Sequence, residues 1–179
     1  MTVSLPPGAT REVVSGDFFT PGYRLTGKLN VGHAGMVRLL NDTTSSLAEF
    51  QDVYLSRANA PGQILTRFSV VRVPKSRLEL ALVGRREDVG PRGVARGGFG
   101  KIVEHEVLVT TGNFEIRGVL EQPGRLDVPG VLFEGSAKFF LLYKATIVAL
   151  AAPDVQFTAG AALVNRSRID LFCALEEEA

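Results

Sequence analysis

Apolar and polar residues alternate with a period of two along most of this chain. Tyr23, Leu25 and Leu29 alternate with Arg24, Thr26 and Lys28, the pattern of a strand with one buried face. A strand over residues 12–19 precedes them, and Pro21-Gly22 supplies the turn between the two. Further strands are predicted over 48–58, 63–73 and 77–83, with a turn at 59–62 and a tight corner at Pro74-Lys75-Ser76. The last of these places Leu78, Leu80 and Leu82 on one face. Between the second and third strands, Met36, Val37, Leu39 and Leu40 are followed by Asn41-Asp42. A loop with at most one helical turn is expected there.

The same series then runs again. Two strands over 107–120 are joined by a turn at Thr111-Gly112-Asn113, and strands over 138–150, 155–164 and 168–174 follow. At a constant offset of 91, Thr20 meets Thr111, Gly27 meets Gly118 and Leu29 meets Leu120. Residues 73–80, VPKSRLEL, lie opposite residues 164–171, VNRSRIDL, at that offset. Self-similarity at a fixed period is the signature of a repeated structural unit. The expected fold is therefore all-β: two tandem copies of a small five-stranded, strongly bent antiparallel barrel-like domain, over residues 12–83 and 103–175. Residues 122–130, in the loop of the second copy, hold two prolines and two glycines, which forbids a long helix. Residues 1–11 read as a flexible arm, 84–102 as a Gly/Arg-rich linker open to proteolysis, and 176–179 as an acidic tail.

Composition narrows the function classes. Of 179 residues 45% are hydrophobic and 22% charged, and the net charge is +1. No whole-chain field draws nucleic acid or an anionic membrane. No stretch approaches the ~20 apolar residues of a membrane helix. The N-terminal residues lack a basic segment followed by an apolar run, so the expected location is the cytoplasm. The single cysteine, Cys173, occupies the position of Leu82 in the first copy and is expected in the core.

The stretch VLVTTGNFEIRGVLEQPGRLD resembles the first motif of Sm-like small β-barrels, with Gly112, Gly118, Leu120 and Asp127 in the motif's order. Asn165-Arg166 and Pro74-Lys75 stand where that family carries Arg-Gly. The chain also resembles an uncharacterised bacterial domain of unknown function. Copy one shows YRLTGKL, LLN ending at Asn41, and FQDV from Phe50; copy two shows FEIRGVL and VNRSRI. The resemblance implies a fold without an activity, and through the Sm likeness an RNA or other nucleic-acid partner.

No catalytic signature is legible. His33 and His105 share no partner positions, no D-x-D loop is present, and GVARGGFG at 93–100 has neither phosphate-loop order. The expectation is a protein that is not an enzyme and takes no cofactor and no metal. One polar feature appears in both copies, a corner of two cations around a serine: Lys75-Ser76-Arg77 and Arg166-Ser167-Arg168. Such corners could protect an edge strand from pairing or contact an anion or a nucleic acid through their backbone N–H groups. The run Phe139 to Tyr143 is apolar on both faces, whereas the first copy carries only Phe50, Val53, Tyr54 and Leu55. A strand apolar on both faces is covered on both. The expected function is a structural or assembly module that forms a homo-oligomer, with Phe140, Leu142 and Ile147 as contacts between chains and Leu142 matched to Asp52. The alternatives are a nucleic-acid binder and a small-ligand sensor.

Overall fold

The computed structural model describes residues 12–91 and 101–175. Ten strands are present among them: β1 (Val13–Thr20), β2 (Tyr23–Asn30), β3 (Leu47–Arg57), β4 (Ala60–Pro74), β5 (Leu80–Val83), β6 (Ile102–Thr111), β7 (Phe114–Pro123), β8 (Phe139–Ala149), β9 (Ala152–Asn165) and β10 (Ile169–Ala174). Two short helices interrupt them, α1 (Gly35–Asn41) and α2 (Val128–Phe133). The all-β expectation holds at this level.

Separate barrels are not what forms. All ten strands belong to one antiparallel sheet that is not closed, in the order β10-β6-β7-β8-β9-β5-β1-β2-β3-β4. Within that order each half repeats one arrangement, fifth strand, first, second, third, fourth. The halves meet where β5 pairs with β9, Leu80 opposite Val164 and Val83 opposite Ala161. The physical reason lies in β5. All four of its residues are buried, so a free β5 would leave apolar side chains and unpaired backbone groups in water.

Side chains alternate across a strand, and at the joint each face meets a different core. Leu80 and Leu82 join Ala162 and Val164 in one cluster with Phe114, Ile116, Phe140, Leu142 and Ile147. Ala81 and Val83 join Ala161 and Leu163 in the other with Phe18, Leu25, Phe50, Met36 and Leu40. This explains the unbroken apolar run of β8. Phe139, Leu141 and Tyr143 face the first-half core, and Phe140 and Leu142 face the second.

The loop expected at 32–41 is instead a single 3-10 turn, Gly32–Ala34, running into α1. Met36 and Leu40, one turn apart, are both fully buried, so tertiary packing rather than local propensity holds the helix. The corresponding loop of the second half holds α2, where the Asp127 carboxylate accepts from the Gly130 N–H at 3.0 Å as an N-cap. Of residues 84–91, expected as open linker, Gly84, Arg85, Glu87 and Pro91 are exposed but the centre is packed. Asp88 and Val89 are buried, and the backbones of Gly35 and Gly90, both at positive φ, approach so closely that neither position has room for a Cβ. Residues 1–11, 92–100 and 176–179, where the arm, the rest of the linker and the acidic tail were expected, lie outside the described residues.

Cys173 is exposed, not in the core. Its counterpart Leu82 is 3% exposed because β9 covers β5; nothing among the described residues covers the outer edge of β10. The pairing also corrects one match made from the sequence. Phe50 pairs with Val71 as Leu142 pairs with Ala162, so Leu142 corresponds to Phe50, and Asp52 corresponds to Lys144.

Candidate assembly edges and the basic corners

The two corners are single 3-10 turns, Lys75–Arg77 and Arg166–Arg168, and the joint brings them together: Arg168 Nη2 donates to the Ser76 carbonyl at 2.8 Å. Their cations are largely committed inside the fold. Lys75 is 1% exposed, and its Nζ donates to the carbonyls of Leu39 at 2.6 Å and Asp42 at 2.9 Å. It closes the C-terminal end of α1, where the helix leaves carbonyls unpaired. Burial pushes the Lys75 ammonium below the ordinary lysine range, against the pull of Asp42. Lys75 is therefore no contact for an outside anion. Arg166 Nη1 donates to the Glu134 carbonyl at 2.6 Å, and burial lowers its pKa. Ser167 gives both its N–H and its hydroxyl to Asn165 Oδ1. Of the first corner, the Ser76 hydroxyl and Arg77 stand exposed outside these contacts, the Ser76 carbonyl being taken by Arg168.

Phe140, Leu142 and Ile147, expected between chains, are 7%, 0% and 0% exposed within the single chain. They are covered by the second-half core of β6, β7 and β9 together with Phe19, Leu80 and Leu82 of the first half, so they do not face another chain.

The residues that build the joint were not singled out from the sequence as a group. Asn165 Nδ2 donates to the Leu78 carbonyl at 2.7 Å, and its N–H to the Glu79 carbonyl at 3.0 Å. Asn113, in the β6–β7 turn, donates to Glu79 Oε2 at 2.8 Å. Asn41 exchanges two hydrogen bonds with the backbone of Phe139, at 3.1 and 2.8 Å. Arg86 holds Glu121 with two short bonds, 2.6 and 2.7 Å, and its guanidinium lies 3.8 Å from the Tyr143 ring centroid. Burial opposes the Arg86 charge, but the Glu121 carboxylate outweighs it and raises the pKa. Asn41 closes the LLN motif and Asn165 sits inside VNR. Their presence in short motifs was the available signal; their partners, 98 and 87 residues away, were not.

A small hollow of about 220 Å³ lies at the joint, lined by Pro21, Glu79, Asn113, Ser167, Arg168 and Asp170. Glu79 Oε1 and Arg168 Nε are buried without a protein partner. The histidines stand apart: His33 lies 3.2 Å from Glu12 on the surface, and His105 Nε2 lies 3.0 Å from the Gly124 carbonyl. Among the described residues no group of three or more His, Cys, Asp or Glu side chains is placed to hold a metal ion. No helix among them is long and apolar enough to cross a membrane.

Exposed apolar side chains are scattered over several elements, among them Val13, Tyr23, Leu47, Ile102 and Phe133 of α2, and the longest run of them lies on the end strand β4. On β4, Ile64, Leu65, Phe68 and Val70 are 62%, 49%, 44% and 44% exposed, and Leu171 on β10 is 60% exposed. Among the described residues both strands have one neighbour in the sheet and nothing paired on the other side. The N-terminal half of β9, which corresponds to β4, is only half-covered; there Phe157 packs against Phe19 of the first half, ring centroids 5.0 Å apart, with Arg24 over its face.

No protein-family profile, curated protein or solved structure matches this chain.

Proposed function

We propose that this chain is a non-enzymatic assembly module, a tandem pair of Sm-like five-stranded units that forms a homo-oligomer through the edges of its sheet. The observation that carries this reading is the contrast between the joined and the free edges. The fifth strand of the first half is wholly buried against the fourth strand of the second, while the fifth strand of the second half and the fourth strand of the first stand open with apolar side chains in water. Long, open, apolar edges are an aggregation hazard that a stable protein covers.

The identical strand order of the two halves supports the duplication. So does the pairing of the first strand with the fifth, Phe19 opposite Leu80 and Gly16 opposite Val83, which recurs at the same offset as Thr110 opposite Leu171 and Val107 opposite Ala174. The nucleic-acid alternative loses support with Lys75, Arg166 and Arg168 occupied inside the fold.

Light scattering on purified, nuclease-treated protein tests the reading. The expected result is a mass above the 19.3 kDa of one chain, unchanged by nuclease. A 19.3 kDa particle that binds an oligonucleotide with steep salt dependence would overturn it in favour of the alternative.

A further inference from the structure

We infer that β10 of one chain pairs antiparallel with β4 of the next, in the register of the internal joint, and that Leu171 and Cys173 fill the flank of the next chain's first-half core. This rests on the assembly reading and specifies its joint.

The internal joint provides the template. In β5, Leu80 and Leu82 point into the core of the second half and are 0% and 3% exposed. Leu171 and Cys173 hold the same positions in β10, since β10 pairs with β6 residue for residue as β5 pairs with β1. They are exposed, and among the described residues no fourth strand lies beside them. On the other side, β4 pairs with β3 as β9 pairs with β8, Phe50 opposite Val71 and Glu49 opposite Arg72, matching Leu142 opposite Ala162 and Leu141 opposite Leu163. β4 therefore offers the free edge that β9 offers to β5. Carrying Leu80 opposite Val164 and Leu82 opposite Ala162 onto the free strands puts Leu171 opposite Val73 and Cys173 opposite Val71. Val71 and Val73 already line the first-half core, so the two incoming side chains extend an apolar surface that exists.

The contact is heterologous: each chain gives one edge and receives on the other. It propagates, and ends either in a ring or in a filament. It is weaker than the internal joint for two reasons. Pro74 stands in place of Asn165 and has no N–H to give, so the bond that Asn165 makes to the Glu79 carbonyl has no counterpart. Arg72 and Glu49, paired at 2.9 Å, stand where the internal joint has the core residues Leu163 and Leu141. The joint between chains is thus the reversible one.

Cys173 makes the register measurable, because it is the only cysteine. Directly opposite residues in an antiparallel pair have Cα atoms about 4.5–5.5 Å apart, within reach of a disulfide at about 4.4–6.8 Å. In the single chain β10 and β4 lie at opposite ends of the sheet order. Val71→Cys under mild oxidation should give disulfide-linked multiples of 19.3 kDa on a non-reducing gel. Arg72→Cys, on the other face of the strand, should give none. Leu171→Asp, at a position 60% exposed in the single chain, should fold normally and reduce the native mass to that of one chain. If the wild-type particle is larger than one chain but Val71→Cys stays unlinked and Leu171→Asp stays assembled, the module assembles by another surface and this joint is wrong. If the wild-type particle has the mass of one chain, the joint and the assembly reading both fall.

Discussion

Asp52 and Lys144 are the two non-glycine residues with positive φ among those described, 50° in each, and they occupy the same place in the third strand of each half. Each stands at a β-bulge. The pairing of β2 with β3 shifts between Thr26 and Lys28, and that of β7 with β8 between Arg117 and Val119. The residues skipped are Gly27 and Gly118. A left-handed residue on one strand thus faces a glycine on its neighbour in both halves, and a bulge of this kind bends and twists the strand that carries it. An acid and a base at the two positions mean that the backbone shape, not the side-chain charge, is what recurs.

The bulge sets the first expectation. A Cβ at Gly27 would lie 3.0 Å from the Gln51 carbonyl oxygen and 3.0 Å from Val53 Cγ2; at Gly118 it would lie 3.1 Å from Leu142 Cβ and from the Tyr143 carbonyl oxygen. Backbone cannot retreat as a flexible side chain can. Gly27→Ala and Gly118→Ala should each destabilise the fold by about 1–3 kcal/mol, read as a lowered urea midpoint. An unchanged midpoint in both would show that the two strands are not held this close.

Lys75 gives an expectation with a pH signature. Replacing it by Met leaves the carbonyls of Leu39 and Asp42 without their donor and should cost about 1–3 kcal/mol. Because burial depresses the folded-state pKa below the unfolded value of 10.5, the unfolded chain binds more protons between the two values. Stability contributed by this group therefore rises as pH climbs from the depressed value towards 10.5. Unfolding free energies of wild type and Lys75→Met, followed from neutral to alkaline pH, should diverge in that window, the wild type gaining. Parallel curves would contradict a buried ammonium.

Arg86 changes what trypsin should do. The two bonds from its Nη2 to the Glu121 carboxylate and its stacking on Tyr143 tie the end of the first half to the second. Cleavage after Arg86 should be slow in the folded protein and should accelerate in Glu121→Gln, which removes the charge that holds it. Rapid cutting at Arg86 in the wild type, identified by mass spectrometry of the fragments, would show the residue free.

The strands were legible in the sequence because period-two alternation and turn residues are local. Tyr23 to Asn30 and the turn at Gly112-Asn113 needed nothing from the rest of the chain, and the offset of 91 aligned the halves before any contact was known. The short helices were not legible. α1 depends on Met36 and Leu40 entering a core shared with β8, and on Lys75 reaching back from beyond β4 to its carbonyls. The destination of the apolar faces was not legible either. Phe140 and Leu142 announce that both sides of β8 are covered, but alternation is the same whether the cover is the other half or another chain. Cys173 and Leu82 share a position in the repeat and differ in burial because, among the described residues, only one of their strands has a fourth strand beside it. Periodicity fixes which residues are strand and which side each faces; the pairing of β5 with β9 decides which edges are closed, and that is a contact between residues some eighty apart that no local pattern encodes.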